Sequence, residues 1–206
     1  METFNGPTAS AKLPRPEIAE VEEAVRTLIR WLGDDPQREG LLETPKRVAA
    51  AFLEYGSGYR EDARSVLDKV FTDTGHYGEM VLVRDIPFFS LCEHHLAPFF
   101  GHAQVAYLPE GGVVGLSKLA RLVEVFARRL QTQEKMTAEI AETLAGSLET
   151  RGVAVLVEAE HLCMTMRGVN KPGTRTMTCH FTGVFKDDAA LQARFFSLAR
   201  TGGHHD

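Results

Sequence analysis

Apolar positions recur along this chain with two different periods, and the change of period divides it. From Glu17, the residues Ile18, Val21, Val25, Leu28, Ile29 and Leu32 follow helical spacing, which Gly33 and Asp34-Asp35-Pro36 bring to an end. Thr44-Pro45 reads as an N-cap followed by proline at the first helical position, opening a second helix through Val48 and Phe52 towards Gly56. Residues 57–78 are rich in loop formers, with short helical content around Ser65–Val70. From Glu79 the pattern becomes strand-like. Met80–Ile86 reads as one strand and residues 101–108 as another, closed by the turn Pro109-Glu110-Gly111-Gly112. Helical spacing returns in Leu119, Leu122, Val123, Phe126 and Leu130, with Ser117 expected as the N-cap. A polar break over residues 131–135 separates this helix from another carrying Met136, Ile140, Leu144 and Leu148 and closed by Gly152. Val153–Ala159, His161–Arg167 and Thr174–Phe185 then read as three strands. Helices first, then strands around a central helix pair, predict an α+β fold with an antiparallel sheet. The expected division is a mobile arm over 1–16 with Pro7, Pro14 and Pro16, a helical region over 17–78, a sheet-bearing domain over 79–200 and a tail over 201–206.

Composition narrows the class. The 206 residues are 44% hydrophobic and 25% charged, which is ordinary for a globular chain and long enough for a sizeable core. A net charge of −5 gives no overall basic footprint for nucleic acid, so an anionic ligand would need a local cluster of Lys and Arg. No apolar run reaches membrane-spanning length, and the N-terminus lacks the basic and apolar regions of a signal peptide. Three cysteines are too few, and odd in number, for a disulfide framework. A cytoplasmic, reducing setting is therefore expected, where cysteines serve metals or catalysis.

The cysteines carry the first constellation. Cys92 and His95 stand as C-x-x-H inside the apolar stretch 87–101, a spacing at which one turn of backbone delivers a thiolate and an imidazole to one zinc ion. The plain alternative is a buried Cys and a partly buried His in a core strand. The segment 161–167 alternates with period two, so as a strand it turns Leu162, Met164 and Met166 to the core and His161, Cys163 and Arg167 to the other face. Cys163 is then the natural third ligand. Two thiolates and one imidazole leave a tetrahedral zinc one position short, the mark of a catalytic site in which the metal raises the acidity of water. His94 and His161 remain as proton carriers beside it. The competing reading is a structural zinc closed by His94, Cys179, His180 or His102.

Two further groups are candidates. Ser117, Lys118 and Arg121 open a helix, where free N–H groups and the helix dipole favour an anion, and Arg167 comes from the segment of Cys163. Together they suit a polyphosphate, although charges on a helix face are usually solvated decoration. In Gln133-Glu134 a carboxylate can accept two parallel hydrogen bonds, matching the adjacent N1–H and N2–H₂ of guanine. From spacing alone that pair reads better as a polar connection between helices.

These residues carry a resemblance. Glu43-Thr44-Pro45-Lys46-Arg47-Val48, Ser57-Gly58-Tyr59, Cys92-Glu93-His94-His95, Gly115-Leu116-Ser117-Lys118-Leu119-Ala120-Arg121, Gln131-Thr132-Gln133-Glu134 and 161–168 are similar, in order, to the motifs of GTP cyclohydrolase I. The resemblance implies the tunnelling fold with an added N-terminal helical region. It implies ring opening of GTP to 7,8-dihydroneopterin triphosphate with release of formate, the first step of pterin and folate synthesis. One zinc per subunit, held by Cys92, His95 and Cys163, is implied, as are catalytic roles for His94 and His161. Ser117, Lys118, Arg121 and Arg167 match triphosphate contacts, Arg47 more loosely, and Gln133 and Glu134 match the guanine-reading pair. A homodecamer with sites between subunits is also implied; a regulatory protein is compatible with the family but not indicated here. Thr132, Lys135, Cys179, His180 and Thr182 depart from the usual residues, and Cys179 and His180 are placed outside the site. The rival from another class is a non-catalytic, zinc-stabilised scaffold of the same fold, which a filled fourth zinc position would favour.

Overall fold

The computed structural model describes residues 14–73 and 77–200; most of the expected N-terminal arm and all of the expected tail lie outside them. The chain divides into two compact units, one ending at Glu54 and the other running from Tyr55. The first holds α1 (Ile18–Trp31) and nearly all of α2 (Thr44–Tyr55). In α1 the backbone N–H of Glu17 donates to Glu20 Oε1 at 3.1 Å, the returning half of a capping box. At α2 the carbonyl of Glu43 accepts from Arg47 N at 3.1 Å, so Thr44 is already inside the helix rather than its cap.

The second unit is built on a five-stranded sheet. Its elements in chain order are β1 (Val70–Phe71), β2 (Val81–Cys92), β3 (Pro98–Pro109), β4 (Val113–Val114), α3 (Leu116–Ala127), β5 (Leu130–Gln131), α4 (Gln133–Ser147), β6 (Thr150–His161), α5 (Leu162–Thr165), β7 (Arg175–Phe181) and α6 (Ala189–Arg200). The sheet order is β5-β2-β3-β6-β7, while β1 and β4 form a separate pair. All neighbours in the larger sheet are antiparallel except β2 and β5, which run parallel through Leu91↔Leu130 and Cys92↔Gln131. The α+β expectation is met, with that one parallel pair added.

Alternation along the central strands builds two cores. Phe88, Phe99, Val105, Tyr107, Val155 and Val157 face α3 and α4 and are buried with Leu119, Leu122, Met136 and Ile140. On the other side Ala106, Ala154 and Leu156 meet Phe185 and Phe195, the latter from α6. Burying such side chains is worth roughly 1.5–3 kcal/mol each, which fixes the register. The Ser-Gly-Tyr motif clips the end of α3. Gly58 N donates to Arg128 O at 3.0 Å, Tyr59 Oη accepts from Leu130 N at 3.0 Å, and a Cβ on Gly58 would collide with Val125 O.

Several boundaries differ from the sequence expectation, each for a local reason. Gly115, not Ser117, is the N-cap of α3, so Ser117 lies in its first turn. Residues 131–135 are not an interhelical connection: Gln131 ends a strand pair and α4 begins at Gln133, capped by Thr132, whose Oγ1 accepts from Lys135 N at 3.2 Å. That helix ends at Ser147, before the expected Gly152. The segment after His161 is not a strand. Met166 N donates to Leu162 O at 3.0 Å and Thr165 Oγ1 to His161 O at 3.1 Å, closing one helical turn, and Met166 is 69% exposed rather than in the core. A short apolar alternation fits either period, and here the helix formers Leu and Met prevail. β7 likewise stops at Phe181, before the 3₁₀ turn Gly183–Phe185.

The Thr132 cap gives a direct test. Thr132→Val should cost about 1 kcal/mol of stability, about 2–4 °C in a melting curve for a chain this long. An unchanged melting temperature would show that the cap is not stabilising.

Candidate metal centre and active site

The far end of β2 turns back on itself within five residues. Cys92 N donates to Ala97 O at 2.9 Å, while the carbonyl of Cys92 accepts from His95 N at 3.3 Å and Leu96 N at 2.9 Å. Leu96 takes a φ of 52°, a left-handed conformation that a leucine seldom adopts outside an over-determined turn. This turn lays His95 Nδ1 3.9 Å from Cys92 Sγ. Cys163, in the single turn of α5, completes the group: the three ligand atoms lie within 4.8 Å of one another. They are the one such group among the described residues, so the expected Cys92–His95–Cys163 triad is brought together by a hairpin end and a helical turn rather than by a shared strand face.

The donor chemistry fits a borderline-soft divalent cation. Burial pushes the Cys163 thiol above its ordinary value, the neighbouring Cys92 pushes it further, and the Arg167 guanidinium opposes them. Two sulfurs so close resist ionising together unless a cation lies between them, and a divalent ion reverses that balance. His94 Nδ1 approaches Cys92 Sγ at 3.8 Å but does not join the group. The other sequence candidates for a fourth ligand, His102, Cys179 and His180, also stand outside it.

Two residues before Cys163 in the chain lies a fixed imidazole. His161 closes β6, stacks on Phe99 with centroids 4.6 Å apart and planes 2° from parallel, and meets Gln133 Oε1 through Nε2 at 2.8 Å. Gln133 is 1% exposed. Its Nε2 donates towards Val157 O at 3.0 Å, Thr176 O at 3.0 Å and Thr178 Oγ1 at 3.1 Å. With the amide nitrogen turned towards these acceptors, Oε1 must face the histidine, so His161 Nε2 carries the hydrogen and Nδ1 is left as the acceptor. Burial lowers the His161 pKa, and the Glu134 carboxylate partly offsets it. The side chain of Gln133 is thus consumed inside the protein and is not open to the edge of a base, contrary to the sequence expectation. Glu134, its neighbour, is exposed in the first turn of α4.

The cationic residues occupy separate elements. Ser117 and Lys118 lie in the first turn of α3 and Arg121 one turn on; Ser117 and Arg121 are exposed. Arg167 follows α5 directly, and Arg47 is on α2 of the first unit.

Comparison with known proteins bears on this geometry. Residues 21–200 match the family described as GTP cyclohydrolase I. The chain belongs to the GTP cyclohydrolase I family. It is 58% identical over 191 residues to the GTP cyclohydrolase 1 of Allorhizobium ampelinum, covering 93% of this chain and 95% of that protein. It is also 58% identical over 187 residues to the GTP cyclohydrolase 1 of Brucella canis, covering 91% of this chain and 88% of that protein. Among solved structures, an archaeosine synthase QueF-Like in the apo form aligns with a TM-score of 0.41 and 17% identity, over 50% of this chain and 93% of that one, a likeness too slight to bear on function.

Three of the five residues expected to depart from the family pattern have local partners. Thr132 caps α4, Thr182 Oγ1 accepts from Val153 N at 3.0 Å where β7 ends, and His180 Nε2 meets Glu142 Oε1 at 2.8 Å. Phe99 and Thr178 were not singled out from sequence. An apolar run conceals which phenylalanine stacks on a histidine, and a strand threonine carries no sign of the amide it receives.

Thiol reactivity tests the metal group. Cys179 is exposed, whereas Cys92 is buried and Cys163 half-buried. Loading the protein with a divalent metal should leave Cys179 reactive towards a thiol reagent and protect Cys163, with chelation restoring it. Equal reactivity of Cys163 with and without metal would remove it from the ligand set.

Proposed function

We propose that this chain acts on GTP as a GTP cyclohydrolase I, yielding 7,8-dihydroneopterin triphosphate and formate. The observation that carries this is the Cys92–His95–Cys163 group together with an imidazole, two residues before Cys163 in the chain, that Gln133 holds, in a chain 58% identical to proteins of that name. We assign the metal as zinc, one per subunit, since two thiolates with one imidazole suit it and leave one position open. Bound there, zinc supplies the Lewis acidity that makes water nucleophilic near neutral pH. The three-ligand group gives no support to the scaffold reading.

The residues of the chain divide the remaining work. Glu134 accepts the N1–H and N2–H₂ of guanine. The first turn of α3, through Ser117, Lys118 and Arg121, receives the triphosphate with Arg167, and Arg47 of a neighbouring subunit contributes to the same task. These contacts hold C8 of the base at the metal. His161 takes a proton at Nδ1 and returns it to the imidazole nitrogen freed as the guanine ring opens. His94 serves the water and, later, the ribose hydroxyls during rearrangement. Gln133 does not touch substrate through its side chain; it holds His161 in one tautomer. Two waters are consumed, one opening the ring and one freeing formate, and one water is lost when the rearranged sugar closes on the base. We place the enzyme in the cytoplasm, as a homodecamer with sites between subunits. The chemistry falls to residues 79–200 and the helical region 17–78 supports them.

Incubation of the zinc-loaded protein with GTP should release formate and, after oxidation, give pterin fluorescence. Absence of both would refute the assignment. His161→Ala should retain zinc and GTP binding while losing about 10²–10⁴-fold in turnover; a fully active variant would remove His161 from the proton path. Gln133→Leu, which roughly keeps the side chain's size but cannot hold the imidazole, should lower kcat by about tenfold or more with zinc content intact, the order seen when a partner orienting a catalytic-site histidine is removed. An unchanged kcat would show that the Gln133 bond is structural only.

A further inference from the structure

Residues 166–175, which join α5 to β7, are exposed throughout. Three of them take left-handed backbone angles: Gly168 at φ 63°, Asn170 at 47° and Gly173 at 76°. A loop with no buried side chains lies at the low-stability end of a fold and keeps one shape only through the bonds that tie it down. Within the loop, Asn170 N meets Arg167 O at 3.4 Å and Thr174 N meets Lys171 O at 3.5 Å, both long. Its ends are anchored by Met166 N, which donates to Leu162 O, and by Arg175, which pairs with Glu158; between them two further bonds tie it down. Lys171 N donates to Met164 O at 3.0 Å, and Gly173 N donates to Glu160 Oε1 at 3.3 Å. The same Glu160 oxygen lies 3.1 Å from Thr165 Oγ1, whose one hydrogen it shares with the carbonyl of His161.

Glu160 is therefore placed to join the start of the loop to its end. It is next to His161 in β6, but strand side chains alternate, so it stands on the opposite face from the imidazole and cannot serve the chemistry directly. Its register partner on β7 is Arg175, yet Arg175 pairs with Glu158 at 3.0 Å. Arg167 lies inside the span that Glu160 closes, two residues beyond Thr165.

We infer that Glu160 is a positioning residue for substrate binding: by accepting from Thr165 and Gly173 it holds the 166–173 loop in the shape that presents Arg167 to the triphosphate. This rests on the triphosphate role proposed for Arg167. If the loop occupies that shape only part of the time, the apparent affinity falls by the same fraction, while the rate once substrate is bound changes little.

The test uses the full-length, zinc-loaded protein and three variants. Glu160→Ala should raise the KM for GTP by about five- to tenfold, the range set by one to two hydrogen bonds, with kcat within about twofold of the parent, as uniform-binding losses behave. Glu160→Gln keeps an acceptor oxygen and should restore KM to near the parent value. Hydrogen–deuterium exchange without substrate should quicken over 165–173 in Glu160→Ala and stay unchanged over 153–157. A Glu160→Ala protein with parental exchange over the loop would refute the clamp. Faster exchange with an unchanged KM would refute its role in binding, as would a loss confined to kcat or a Gln variant as impaired as the Ala variant. Arg167→Ala separates the underlying reading. If that variant has parental KM, the triphosphate assignment fails, and with it the consequence for substrate, while the exchange result still decides whether Glu160 holds the loop.

Discussion

A buried carboxamide must satisfy its hydrogen-bonding groups from the protein, because an unmet donor or acceptor costs about 1–3 kcal/mol. Gln133 is such a group, and the second unit is arranged around it. Its nitrogen requires the carbonyls of Val157 on β6 and Thr176 on β7 and the hydroxyl of Thr178. Thr178 in turn meets Thr137 Oγ1 at 2.7 Å, and Thr137 donates back to the carbonyl of Gln133 at 2.7 Å. One residue thereby ties the start of α4 to two strands in a single register. What remains is its oxygen, which faces His161. The imidazole is fixed by the same hydrogen bonds that tie α4 to the sheet.

The metal group is held with less redundancy. Cys92 is set by the β2–β3 hairpin end, Cys163 by one turn of α5, and the bonds holding each are few. Burial and the neighbouring Cys92 push the Cys163 thiol up, and a divalent cation there would favour the thiolate over the thiol. The His161 side differs, since hydrogen bonds within the protein hold it.

This difference explains what could be read in the sequence. The helices and strands of the second unit were legible because their apolar periods are long. The ligands were legible because Cys and His are rare and their C-x-x-H spacing is local. The segment 161–167 misled because four alternating residues satisfy a strand and a helical turn alike, and hydrogen bonds from Thr165 and Met166 decide between them. Gln133 misled for another reason. A glutamine next to a glutamate in a polar run resembles a surface pair, and only packing of α4 against β6 and β7 shows that one side chain turns inward while the other turns out. The ladder of strands that receives it lies 24 to 45 residues away in the chain, beyond any local pattern.

The placement of charge follows from the same distinction. Interactions used at the chemical step gain from rigidity, since misplacement by an ångström is costly there. Interactions that capture a charged group far from the reacting atoms gain from exposure, since a cation already desolvated and paired has less left to offer. Ser117 and Arg121 on the opening turns of α3, and Arg167 beyond α5, are exposed, whereas Gln133 and Phe99 are buried. On the proposed reading, the triphosphate supplies binding energy at the exposed set, and that energy holds the base towards the imidazole that the buried set keeps in place. Arg167 belongs to both regions: it is exposed beyond α5 yet four residues from Cys163. A loop in that position has to be restrained from the face of β6 that the chemistry does not use, and Glu160 is the side chain that stands there.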